Sequence, residues 1–153
     1  MRFLLINICF LLLSASTLKA QEVDKSEFAF AHYLFETGQY ELASLERERQ
    51  LFRNKHDFEV RMLLIKTYRF AEQYDNARRL SLSTESLQPE QRFSLMQAYI
   101  HNSLYLKDYS AIRQQLNQQT HYQNQKSFAS YKQNLEAGLQ LLEAARNQKL
   151  QLP

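Results

Sequence analysis

Residues 37–43 read TGQYELA, residues 71–77 read AEQYDNA and residues 106–112 read LKDYSAI. In each stretch a tyrosine follows a turn and a small or aliphatic residue stands three places later. Tyr40, Tyr74 and Tyr109 lie 34 and then 35 residues apart. A pair of helices cannot bury its apolar stripe alone, whereas stacked pairs can. Recurrence at this interval therefore describes a unit that shares its core with the next one.

The chain contains only two glycines and two prolines in 153 residues. A many-stranded sheet needs a turn signal every ~8–12 residues, so the expectation is all-α. The apolar spacing places helices at about 26–37, 40–52, 57–71, 75–82, 89–106, 108–118 and 127–149. Phe28, Ala31, Leu34 and Phe35 share a face of the first, with Ser26 or Asp24 as its cap and Gly38 ending it in the left-handed conformation. Asp57 is a capping residue for the third, and Pro89 suits the first turn of the fifth, where its missing N–H needs no partner. Residues 114–125, rich in Gln and Asn, read as a solvated helix end and linker. In the last helix Phe128, Tyr131, Leu135, Gly138, Leu142 and Ala145 form one stripe. It reads as a cap on the preceding pairs, with a coiled coil joining two chains as the alternative.

The first twenty residues, MRFLLINICFLLLSASTLKA, have the form of an export signal. Arg2 gives a positive start, Phe3–Leu13 an apolar stretch broken by Asn7, and Ala20 a last residue before cleavage, with cleavage after Ala15 as the alternative. The apolar run is shorter than the ~20 residues of a spanning helix, so the expected location is periplasmic or secreted, with no transmembrane segment in the mature chain. Arg2 and Lys19 leave with the leader, and the 19 basic residues become 17 against 16 acidic ones. No concentrated basic face remains, which argues against nucleic acid. Cys9, the single cysteine, also lies in the leader, so the mature domain from residue 21 to 153 has no disulfide and no thiolate chemistry.

The helix–turn–helix interval, the aromatic after each turn, and Ala43, Ala77 and Ile112 on the second helices resemble the tetratricopeptide repeat family in a degenerate form. The resemblance implies a right-handed α-solenoid of about three hairpins, residues 24–57, 58–92 and 93–126, closed by a capping helix at 127–149. Several positions depart from the family's pattern: no early tryptophan, Ile65 and Ile100 in place of the small mid-helix residue that Ala31 supplies, and Glu72 and Lys107 where Gly38 stands in the first turn.

Chemistry of other kinds is poorly supported. His32, His56, His101 and His121 are far apart in sequence, and the paired carboxylates at 46–48 and 57–59 point to different helix faces. GxGxxG, GxxxxGK and GxSxG are absent, leaving no nucleophile with a nearby base. The expectation is a non-enzymatic chain without cofactor or metal. In the resembled family the first helices of successive repeats line a concave groove for a protein or peptide partner. Here that implies Phe28, His32 and Phe35 from the first hairpin, Met62, Lys66, Arg69 and Phe70 from the second, and Gln97, His101, Leu104 and Tyr105 from the third. His32 and Lys66 stand where chaperone-binding members carry asparagine-type residues, so that partner class is not implied. The remaining expectation is a scaffold in cell-envelope assembly, or else a subunit that forms a homodimer through its last helix.

Overall fold

The computed structural model describes residues 25–82, 87–118 and 126–149, and everything described is helix or the turns between helices. The chain runs α1 (25–36), α2 (Tyr40–Arg53), α3 (Phe58–Phe70), α4 (Tyr74–Ser81), α5 (Pro89–Tyr105), α6 (Tyr109–Gln118) and α7 (Lys126–Lys149). The expected ranges agree to within a residue or two, the ordinary spread at frayed helix ends. The leader, the alternative cap Asp24 and most of the linker at 119–125 lie outside the described residues, while Ser26 lies inside α1.

Local chemistry sets the helix ends. Asp57 accepts the Val60 amide at 3.0 Å and opens α3. Pro89 is the first residue of α5, and the Gln91 side chain reaches back to accept the Gln88 amide at 3.0 Å.

The three hairpin turns have the same backbone. Gly38, Glu72 and Lys107 all adopt left-handed φ, at 78°, 58° and 56°. Each donates its amide three residues back, to Phe35, Arg69 and Leu104, and the next residue donates five back, to Leu34, Tyr68 and Ser103, at 2.8–3.2 Å. This is the paired-bond helix terminus that normally selects glycine. Two of the three turns therefore hold it without glycine, at a backbone cost of about 1–2 kcal/mol each.

Packing follows the same interval. Ala31, Ile65 and Ile100 on the first helices and Ala43, Ala77 and Ile112 on the second helices are all buried. One core joins Leu64, Ile65, Tyr68, Ala77 and Leu95, with Leu51 and Met62 leaning on it. The other joins Met96, Ile100, Ile112, Leu116, Phe128 and Leu139, so α7 covers α5 and α6. The expected α7 stripe is corrected at its far end. Leu139 takes the buried position, whereas Leu142 and Ala145 are exposed, because α7 outruns the helices it covers. Among the described residues no helix is long and apolar enough to cross a membrane.

Candidate functional site

Counterpart positions on α1, α3 and α5 present the expected groove residues, and the structure gathers seven of the eleven into two aromatic–cation groups. In the first, the Phe35 ring meets Phe70 edge-on at 5.1 Å and Tyr40 at 5.4 Å. Tyr40 and Phe70 are 5.2 Å apart, and Lys66 Nζ stands 4.8 Å from the Phe35 centroid. The Arg47 guanidinium, from α2, lies 6.0 Å from the rings of both Phe28 and Phe35.

The second group centres on Tyr105. Its ring stacks on Tyr74 at 4.6 Å and nearly parallel, and on His101 at 5.5 Å. The Arg69 guanidinium lies 5.9 Å from the Tyr105 centroid, and its Nη2 is 3.5 Å from His101 Nε2. That approach needs a neutral imidazole with its acceptor nitrogen toward Arg69. Burial, and then the Arg69 charge, hold His101 below its ordinary pKa, which favours that form. Phe70 and Tyr105 keep about half of their surface open to solvent.

Several other cations of the molecule are paired with acids. Arg49 and Arg53 pair with Glu27, Arg78 with Asp75 and Asp108, and Arg113 with Glu143. Among the described residues neither Lys66 nor Arg69 has an acidic partner, and the buried Arg69 Nε has no hydrogen-bond acceptor. The Arg69 guanidinium thus has a buried Nε, an aromatic face beside it and no carboxylate partner among the described residues.

The other predicted residues are placed differently. His32 is exposed and lies 4.0 Å from Glu36. Met62 leans on the α3–α5 core and Leu104 on the α5–α7 core, so both belong mainly to packing. Gln97 is half-buried and joins neither aromatic group. Tyr40 and Tyr74, read from the sequence only as the recurring aromatic after each turn, each also supply a ring to these groups. Sequence reasoning missed Arg47, which is only 2% exposed and whose Nε and Nη1 have no hydrogen-bond partner. The signal was available: its counterparts, Ser81 and Leu116, occupy a buried position.

A separate cleft of about 310 Å³ opens between the start of α1, the end of α2 and the start of α3, lined by residues including Phe28, Gln50, Arg53 and Asp57. Among the described residues no three His, Cys, Asp or Glu side chains come together in a way that could hold a metal ion. No family model, curated protein or solved structure matches the chain.

Proposed function

We propose that this chain is an exported, non-enzymatic adaptor of tetratricopeptide-like architecture, a right-handed solenoid of helix hairpins that holds a protein or peptide partner in its groove. The supporting observation is the unpaired Lys66–Arg69 couple, one helical turn apart, set among Phe35, Phe70 and Tyr105. Half-exposed rings supply contact area at low entropy cost, and the two cations select an acidic or carboxylate-bearing segment. A role in assembling a cell-envelope complex is the setting that the leader supports.

A photo-crosslinker installed at Phe70 in living cells tests this reading. The expected result is a discrete crosslinked partner that is lost when Lys66→Glu and Arg69→Glu are combined, with the helical circular dichroism unchanged. A crosslink indifferent to both charges overturns the groove. Periplasmic fractionation tests the location, and recovery of the uncleaved chain in the cytoplasm overturns it. A second reading rests on Leu141 and Leu142, both exposed on the overhanging end of α7, and makes the chain a self-associating subunit. Leu141→Glu with Leu142→Glu, which leaves the buried Phe128 and Leu139 in place, abolishes association under that reading.

A further inference from the structure

The repetition singles out an exposed face of α1 that is separate from the groove residues. Residues 26, 30 and 33 of α1, with Thr37 just past its end, have counterparts at 60, 64, 67 and 71 along α3 and its C-terminal cap, and at 95, 99, 102 and 106 along α5 and its cap. In α3 this stripe is covered by α2, and in α5 by α4: Leu64 is 2% exposed, and Thr67 and Asn102 are 0% exposed. In α1 the same stripe is open, with Phe30 at 49% and Tyr33 at 60%. The far end of the molecule is closed by α7, so the two ends are unequal. Outer repeats of a stacked array ordinarily present a polar face. Two adjacent aromatics in that position mark a contact.

We infer that α1 pairs with α1 of a second copy of this chain, the two helices antiparallel about a two-fold axis. The stripe is self-complementary in that arrangement. Phe30 faces Tyr33 of the second copy, and Ser26 faces Thr37. Lys25 and Glu36 flank the stripe on one side at opposite ends of the helix, both exposed. Two-fold pairing of antiparallel helices brings like flanks together, so Lys25 runs beside Glu36 of the second copy, and the reverse. Glu27, on the other flank, is already neutralised by Arg49 and Arg53. At 100° per residue the stripe lies nearly opposite Phe28, His32 and Phe35, so pairing leaves the groove open. Two aromatics per copy make a small contact against the ~800 Å² that each partner buries in a standard interface, which sets the expected Kd at about micromolar.

Sedimentation of the full-length protein purified from expressing cells, over a wide concentration range, tests the pairing. The expected result is a monomer–dimer equilibrium that Phe30→Glu with Tyr33→Glu shifts to monomer without loss of helicity. Lys25→Glu weakens the dimer about tenfold, and adding Glu36→Lys to it restores the original Kd, a rescue that only the antiparallel register gives. A chain that stays monomeric at its highest concentration overturns the inference. So does a dimer that survives the Phe30 and Tyr33 changes, the outcome expected of pairing through α7, and so does a failed charge rescue. None of these results bears on the Phe70 crosslink.

Discussion

Glu72→Gly and Lys107→Gly stabilise this fold, and Gly38→Ala destabilises it. The reasoning is confined to the backbone. All three residues hold left-handed φ between 56° and 78° in turns closed by the same pair of hydrogen bonds. For a residue with a Cβ that conformation costs about 1–2 kcal/mol. Glycine avoids this but loses about 0.5–1 kcal/mol more chain entropy on folding. The net gain is about 0.5–1 kcal/mol for each replacement. The sites lie in separate turns with no shared partners, so the gains add, to about 1–2 kcal/mol for the double variant. A Cβ built at Gly38 meets nothing within 4 Å, so Gly38→Ala adds no clash and loses about 0.5–1 kcal/mol, the same balance in reverse. Urea titration followed by circular dichroism reads all three, with the m-value unchanged, and each kcal/mol moves Tm by about 2–4 °C. Loss of stability in either glycine variant, together with a neutral Gly38→Ala, refutes the shared turn geometry.

Two nitrogens of the buried Arg47, Nε and Nη1, have no acceptor, and its counterpart in the third hairpin is Leu116. Arg47→Leu is therefore neutral or stabilising in urea despite the lost ring contacts, whereas a loss above about 2 kcal/mol shows that the cation is structurally required. For His101 the sign is set by its depressed folded pKa: the unfolded chain takes up the proton first as pH falls. Stability present above the ordinary histidine value is lost as pH falls through the folded one. His101→Gln flattens that part of the stability–pH curve, measured as the difference from the parent so that other groups cancel. An unchanged difference curve contradicts the Arg69–His101 arrangement.

The helices were legible because their apolar residues recur at helical spacing and because the turn tyrosines fix the frame. What was not legible depends on details finer than spacing. Nothing in Glu72 or Lys107 announces a left-handed residue; only their place 34 and 35 residues along the frame from Gly38 does so. The α7 stripe was read one position off, with Gly138 and Leu142 chosen over Leu139. A helix that outruns its supports has an apolar face that no longer reports burial. Met62 and Leu104 sit at groove positions by count, yet their flexible aliphatic side chains lean into the cores. Lys66 and Arg69 cannot do so without burying charge.

The internal frame separates scaffold from site without reference to any other protein. Positions 31, 65 and 100, and 43, 77 and 112, are buried in all three hairpins and carry small or aliphatic side chains, whereas the equally buried 47, 81 and 116 carry Arg, Ser and Leu. His32, Lys66 and His101, and Phe35, Arg69 and Leu104, also differ in chemistry, and none of these six is buried, so packing does not dictate the choice there. The unpaired cations and open rings belong to these positions. Free variation alone would leave them solvated and scattered. Instead Arg69 keeps a buried Nε without an acceptor, and Tyr105 is stacked by Tyr74 on a neighbouring helix while half of its ring surface stays open. An unsatisfied buried donor is shared with Arg47; what sets Arg69 apart is its place beside the open Tyr105 ring. A carboxylate brought by a partner would satisfy that donor, which is why the Lys66 and Arg69 charges, and not the surrounding rings, are what a test of the proposed groove must change.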